Sequence, residues 1–560
     1  MFLFRFFSSF FPLRNPIGFG ASDFIDLALA GLLVSLVLAS RVEPQARRLA
    51  ERTGLCMLLL AALPVLLRLV LLPNHPIPSP NVADDFSYLL LADTLSHFRL
   101  ANPPHPLHQF FETFFVLQEP SYSSIFPIGQ GLVLAFGRTI FRHPWAGVAL
   151  SVAAFCSLCY WMLRAWITPG WALAGGLLAA FQFGPLNQWM NSFWGGAVSA
   201  TAGCLVFGSL PRLREAGRTR DAVLLGLGLS VQLITRPYES VLLILSVILF
   251  ALPALRDWRR LTRTAAVVTL TVIPAIVVTL LQNKQVTGSW TTLPYALSRD
   301  QYGVPAALTI QPNPVPHREL TREQQLDYEL QSEVHGKGTD TLRTYLERLA
   351  SRVRYYRFFF LAPLYLAALV FLLTLRGFRF VWIVLSILIF VLGANFYPYF
   401  YPHYVAAVTC LFVLVSVAGL ERLSKLGIRG WPAGRDAARL LFFLCAARFL
   451  FWYGAHALGD DRGLIQYETW DAINHDDPEG RIAINDQLAQ VPGKQLVFVR
   501  YYRQHSFQEW VYNAAEIDRA RVVWARDLGS AENEKLREYY RDRTAWLLEP
   551  DFKPPRLTKY

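Results

Sequence analysis

The chain of 560 residues is 53% hydrophobic, 14% aromatic and only 17% charged, with a mean hydropathy of +0.31. A water-soluble protein of this size rarely carries so many separate apolar runs, so these numbers exclude an ordinary soluble enzyme and favour a polytopic membrane protein. The net charge of +12 sits in alternate loops between the runs; it orients the chain in a bilayer and gives no reason to invoke nucleic acid.

The first segment, "MFLFRFFSSFFPL", lacks a small-residue cleavage site and reads as an interfacial segment rather than a removed signal peptide. A helix needs about 20 apolar residues to cross the hydrocarbon. About twelve runs meet that criterion, near 24–40, 54–73, 144–163, 171–186, 195–211, 222–236, 238–254, 264–281, 357–375, 379–394, 404–420 and 438–457. A thirteenth apolar stretch, 125–141, is short, glycine-containing and entered behind a Pro, so it reads as a helix lying along the membrane surface. Basic residues crowd the loops 41–52, 212–220, 256–263, 376–379 and 422–439 and are nearly absent from the alternate ones. The positive-inside rule therefore puts 74–143, 187–194, the 236–239 bend, 282–356, 395–403 and the tail on the outer face, with the N-terminus outside as well.

The expected fold class is a polytopic α-helical membrane protein of about twelve transmembrane helices with a small C-terminal α/β extracytoplasmic domain. Residues 1–457 form the multi-span part, with outer loops 74–143 and 282–356. Residues 458–560 form the small domain, in which "GKQLVFVRYY" and "RARVVWARDL" read as buried strands and "SAENEKLREYYRDR" as an amphipathic helix. All six cysteines fall in apolar runs. Cys156 and Cys159 form a C-x-x-C, which inside a membrane helix reads as packing rather than redox chemistry or zinc binding.

Three constellations on the outer side carry chemistry. Asp84 and Asp85 open "DDFSYLLLADTL" immediately beyond an apolar run. An ionised carboxylate there can take a proton from a hydroxyl, and an Asp there can equally cap the helix. Arg236, in "LITRPYES", stands at the outer end of two abutting runs, where a guanidinium can grip a phosphate bidentately or pair with Glu239. Lys284, in "QNKQVTGSW", is a second phosphate candidate or a snorkelling helix cap. The third group is aromatic and polar: Tyr88, Tyr122, Asn191, Trp194, Tyr238 and His403 suit a sugar ring, stacking its faces and bonding its hydroxyls. Interfacial belts of Trp and Tyr need no such ligand. His105 and His403 lack metal-ligand spacing.

The motifs "ADDFSYLLLADTL", "PSYSSIFPIGQGL", "TRPYES" and "QNKQVTGSWTTLPYAL", with "EWVYN" and "VVWARD" in the tail, resemble the GT-C glycosyltransferase superfamily. The nearest part is the family 39-like group, kin of the protein O-mannosyltransferases and lipid A aminoarabinose transferases, in a bacterial branch. The second acid is Asp where those relatives have Glu, and Ile128 interrupts their double-Pro form. The resemblance implies an inner-membrane enzyme acting on the periplasmic side. It would move a sugar, with inversion, from a polyprenyl-phosphate donor to a lipid, glycan or protein acceptor. Asp84 or Asp85 would be the base, and Arg236 and Lys284 the phosphate contacts. A divalent metal is left open. The competing readings are a lipid-linked-sugar flippase, for which Arg68 and Gln232 are interior polar candidates, and a non-catalytic glycan-binding protein.

Overall fold

Prolines set where several helices begin, because a residue without an N–H fits the first turn and cannot extend the helix before it. The structure, a computed structural model, describes residues 21–560 apart from 41, 81, 254–256, 337, 428–429, 431, 460–479, 504 and 506–508. The interfacial segment 1–13, with Arg41, Arg256 and Arg429 of the basic loops, lies outside them.

The first helices are α1 (Ala21–Ser40), α2 (Val42–Glu51) and α3 (Thr53–Val70). A long outer segment follows, built from α4 (Ala83–Ser96) and a two-stranded antiparallel ribbon of β1 (Val116–Leu117) and β2 (Ser123–Ser124). Next come α5 (Ile128–Phe141), α6 (Pro144–Leu163), α7 (Pro169–Phe183), α8 (Ala197–Ala216), α9 (Thr219–Thr235), α10 (Pro237–Ala251) and α11 (Trp258–Thr287). The second outer segment holds α12 (Pro294–Tyr302), α13 (Arg322–His335) and α14 (Leu342–Arg352). The last apolar helices are α15 (Leu364–Leu373), α16 (Phe378–Ala394), α17 (Thr409–Leu423) and α18 (Ala433–Leu458).

A helix occupies every apolar run read from the sequence. By length and composition, five of the described helices can cross a membrane unaided, or up to seven if each of two bent pairs counts as one span. α17 is buried at every residue from Thr409 to Leu420 and forms the centre of the bundle. α11 is its opposite: only Ala275, Gln282, Asn283 and Val286 are buried over 30 residues. Leu270, Ile273, Ile276, Val277 and Leu280 are exposed, as expected of a helix facing lipid. α5 has the same two-sidedness, with Leu132, Phe136 and Ile140 outward and Leu134 and Ala135 inward.

The basic loops meet one another at one end of the bundle. Arg439 pairs with Glu43 at 2.6 Å and Arg379 with Glu215 at 3.3 Å. The acidic and aromatic segments meet at the other end: Ser121 donates to the Val286 carbonyl and Thr309 N–H to the Phe396 carbonyl. This is the segregation that the charge pattern called for.

The tail contains α19 (Arg481–Gln490), β3 (Lys494–Val499), β4 (Val522–Arg526), α20 (Ser530–Tyr539), β5 (Arg543–Glu549) and β6 (Arg556–Lys559). Its sheet has the order β4-β3-β5-β6, with β3 parallel to both neighbours and β6 antiparallel to β5. "LVFV" is apolar at every position because both faces are covered. Leu496 and Phe498 join a cluster with Leu90, Phe110, Phe111 and Val116 of the first outer segment, while Val497 and Val499 face Ile484 and Leu488 of α19. The sheet thus shares a core with α4 and its loop. Asp93 accepts the Ala515 N–H at 2.8 Å and Arg99 pairs with Glu516 at 3.0 Å.

Candidate active site

The two aspartates of α4 have separate fates. Asp85 is 3% exposed; its Oδ1 accepts the Phe193 N–H at 2.7 Å and its Oδ2 lies 3.5 Å from the Val82 N–H. It caps the helix and ties α4 to the loop before α8. Asp84 is half-buried, and no side-chain hydrogen bond or ion pair to it occurs among the described residues. Its charged neighbours are Asp85, Arg236 and Asp327. Burial first, and then the Asp85 charge, push its carboxyl up to about 7, against the pull of Arg236. Of the two acids that could serve as the base, Asp85 is therefore engaged by the backbone, whereas the Asp84 carboxylate makes no such bond among the described residues.

One turn along α4, Tyr88 stacks on Phe126 with centroids 4.2 Å apart, and Tyr295 meets Phe126 edge-on at 5.6 Å. Ser87 bonds both Ser124 and the Phe115 carbonyl at 2.7 Å, which fastens α4 to the ribbon leading into α5. At Gly129 of α5 an added Cβ would stand 2.1 Å from Thr235 Oγ1. Only a glycine allows the end of α9 this close, and Arg236 is the next residue.

Arg236 sits in the break between α9 and α10 at φ −143° and ψ 81°, outside the helical region that Pro237 denies to its predecessor. Its guanidinium lies 5.3 Å from the Tyr404 ring centroid and 3.7 Å from Glu239, whose carboxylate also accepts from Tyr397 at 3.3 Å. None of its side-chain N–H groups makes a hydrogen bond among the described residues, although the side chain is only 14% exposed. Other buried arginines differ. Arg68 donates to Asn191 and to the His75 and Pro76 carbonyls, and Arg352 to Asn395 and to the carbonyls of Ala394, Tyr397 and Pro398. A guanidinium with unspent donors is able to grip an anion.

The wall above Arg236 is the segment 395–404, whose carbonyls Arg352 holds. Tyr397 stacks on Tyr404 at 4.3 Å, His403 meets Trp194 edge-on at 4.8 Å, and Tyr401 meets Trp194 at 5.5 Å. Asp84 is an electrostatic neighbour of Tyr88, Tyr295, Tyr399 and Tyr401. The result is a carboxylate and a guanidinium among aromatic rings, suited to a sugar phosphate.

Of the residues named from the sequence, Asp84, Tyr88 and Arg236 come together, with Trp194 and His403 on the wall. Tyr238 backs that wall, its hydroxyl given to the Gly393 carbonyl at 2.9 Å. Three are engaged elsewhere. Tyr122 donates to the Asn513 carbonyl at 3.0 Å beneath the sheet. Asn191 accepts from Arg68 and donates to the Pro185 and Asn187 carbonyls. Lys284 is exposed and donates to the Gly288 carbonyl at 2.7 Å, capping its own helix where Gly288 turns at φ 78°. The interior polar candidates for transport are also engaged, Arg68 as above and Gln232 by accepting from Ser199 at 2.7 Å. Asp327, Tyr295, Tyr399 and Tyr404 were not singled out. Tyr295 lay in plain view within "TTLPYAL", whereas nothing in the sequence ties Asp327 to Asp84 across more than two hundred residues. Among the described residues no group of three or more His, Cys, Asp or Glu side chains stands ready to hold a metal.

No protein-family profile matches the chain, and no curated protein is similar to it in sequence. Solved structures are similar in shape. ArnT from Cupriavidus metallidurans bound to undecaprenyl phosphate aligns with a TM-score of 0.50 at 11% identity, over 88% of this chain and 92% of that one. Its apo state gives 0.48 at 11% identity, over 86% and 90%. An Archaeoglobus fulgidus oligosaccharyltransferase tethered to an acceptor peptide gives 0.44 at 11% identity, over 87% and 68%. The likeness to ArnT is one of fold, that of a multi-pass helical membrane protein.

Proposed function

We propose that the protein is a membrane glycosyltransferase using a polyprenyl-phosphate-linked sugar, with its active site on the periplasmic side of the bacterial inner membrane. The observation that carries this reading is an unbonded carboxylate, Asp84, within the electrostatic reach of a nearly buried guanidinium, Arg236, which lies against Glu239 yet makes no side-chain hydrogen bond among the described residues. Arg236 would hold the donor phosphate. Asp84 would take the proton from the acceptor hydroxyl as its oxygen attacks the anomeric carbon from the opposite side. The bond to the phosphate oxygen breaks, the phosphate leaves with the electron pair, and the anomeric centre inverts. The structure of ArnT with undecaprenyl phosphate makes that lipid the natural first probe.

In this reading the helices make about twelve crossings with α5 along the surface, and residues 458–560 cover the site from outside. Lipid, glycan and protein acceptors all bear hydroxyls, and this chemistry serves each of them.

The test is sugar transfer from undecaprenyl-phosphate-linked hexoses and pentoses by the purified full chain. Asp84→Asn lowers transfer by about a hundredfold to ten-thousandfold while undecaprenyl phosphate still binds, and Arg236→Ala loses the lipid. Full transfer by Asp84→Asn removes the assignment of the base.

A further inference from the structure

An outer helix normally turns its apolar side inward. α13 does the reverse: Glu323, Gln324, Asp327 and His335 are buried, whereas Leu330 and Val334 are 41% and 54% exposed. Glu323, Asp327 and Gln331 form a row one turn apart on the same face.

Both ends of that row are fastened. Arg526 of β4 donates to Glu323 and lies 3.4 Å from Glu509. At the other end Gln331 accepts the Ala306 N–H at 2.7 Å and donates to Asp327 Oδ2 at 2.9 Å. The middle is open. Asp327 is 6% exposed, yet its Oδ1 has no hydrogen-bond partner among the described residues. Its neighbours include Asp84 and Tyr399. Oδ1 is not sealed off, so a carboxylate held this firmly keeps one oxygen open, beside the candidate base, to a hydroxyl that comes to meet it. Burial pushes its carboxyl up to about 6, so it is largely ionised at neutral pH.

Resting on the glycosyltransferase reading, we infer that α13 is the acceptor wall of the site. Asp327 accepts a hydrogen bond from a second hydroxyl of the acceptor while Asp84 takes the reacting one. The acceptor is therefore a neutral, polyhydroxylated sugar at this point. Two carboxylates, Asp84 of α4 and Asp327 of α13, repel an acceptor bearing phosphate or carboxylate between them, and the nearby guanidinium is occupied by the donor phosphate.

The experiment uses the full chain in nanodiscs preloaded with undecaprenyl phosphate, with binding of methyl glucoside and of the methyl glycoside of glucuronic acid measured by saturation-transfer NMR. The wild type binds the neutral glycoside at least about tenfold more tightly than the anionic one. Asp327→Asn weakens the neutral glycoside by about tenfold and narrows the preference. Asp327→Glu, which keeps the carboxylate, retains the preference. Undecaprenyl phosphate binding stays within about twofold in both variants, which also reports that they fold. Equal binding of the two glycosides, no detectable binding of the neutral one, or an unchanged preference in Asp327→Asn overturns the inference. If Arg236→Ala leaves undecaprenyl phosphate binding intact, the donor reading itself fails, and that result is independent of the glycosides.

Discussion

The burden at Asp84 falls on its ionisation state. In the proposed role Asp84 works when deprotonated, and burial and the Asp85 charge raise its carboxyl to about 7. Its free-enzyme activity therefore rises about tenfold per unit as pH climbs toward 7 and levels off above it. The groups facing it are Asp85, Arg236 and Asp327, with Tyr88, Tyr295, Tyr399, Tyr401 and Tyr512 around them. Removing a neighbouring negative charge lowers the pKa, so Asp85→Asn moves the acid limb of kcat/KM toward lower pH. That substitution keeps a carbonyl oxygen for the Phe193 N–H, so the fold holds and transfer persists. Asp85→Ala, by contrast, leaves the buried N–H without its partner at a cost of about 1–3 kcal/mol, read as a lower Tm. A pH–rate profile for Asp85→Asn that superimposes on wild type would show that this charge does not act on the base.

At the scale of elements, the site depends on where α9 stops. Pro237 ends it, and the Gly129 contact brings α5 against its last residue. Gly129→Ala forces Cβ into the space of Thr235 Oγ1 and the Ile234 carbonyl. Overpacking of this kind costs about 1–3 kcal/mol, and the displaced end of α9 carries Arg236 with it. Transfer falls along with Tm, whereas Gly170→Ala, where a Cβ meets nothing within 4 Å, changes neither. The helices themselves were readable because each apolar run is long and each boundary carries a Pro, a Gly or a charge. The break at Arg236 was readable for the same reason. The reach of Lys284 was not, since an amine on a long stem can turn to its own helix end or away from it, and only the fold decides. The division of labour between Asp84 and Asp85 was hidden likewise: two adjacent residues of a helix point about 100° apart, and the sequence does not say which direction holds the Phe193 N–H. The inward side of α13 is equally hidden, since packing alone brings Asp327 beside Asp84.

At the scale of the molecule, three segments far apart in the chain close on one point, and the tail is the outermost of them. Its sheet shares a core with α4, and its Arg526 lies buried between Glu323 of α13 and Glu509. Tyr501 donates to Glu509 and receives the Trp510 N–H at 2.7 Å, which completes the cluster. A buried cation serving two carboxylates is a poor source of net stability but an expensive thing to break. Arg526→Ala strands both carboxylates in a dry environment at a cost of about 3–5 kcal/mol, which falls on the seam between α13 and the sheet. Among the described residues, α13 itself meets the first outer segment through the long contacts of Gln324, 3.5 Å from Glu112 and from the Thr113 carbonyl, while Arg318 ahead of it pairs with Glu112 and Glu119. Local release of α13 therefore precedes global unfolding. Limited proteolysis of Arg526→Ala should cut within 305–340 first, under conditions that leave wild type whole, while undecaprenyl phosphate still binds at Arg236. Arg526→Met tests the cause: with the cation gone and the volume kept, the same cut sites mean that charge holds the seam, whereas protection restored by Met would mean that packing does.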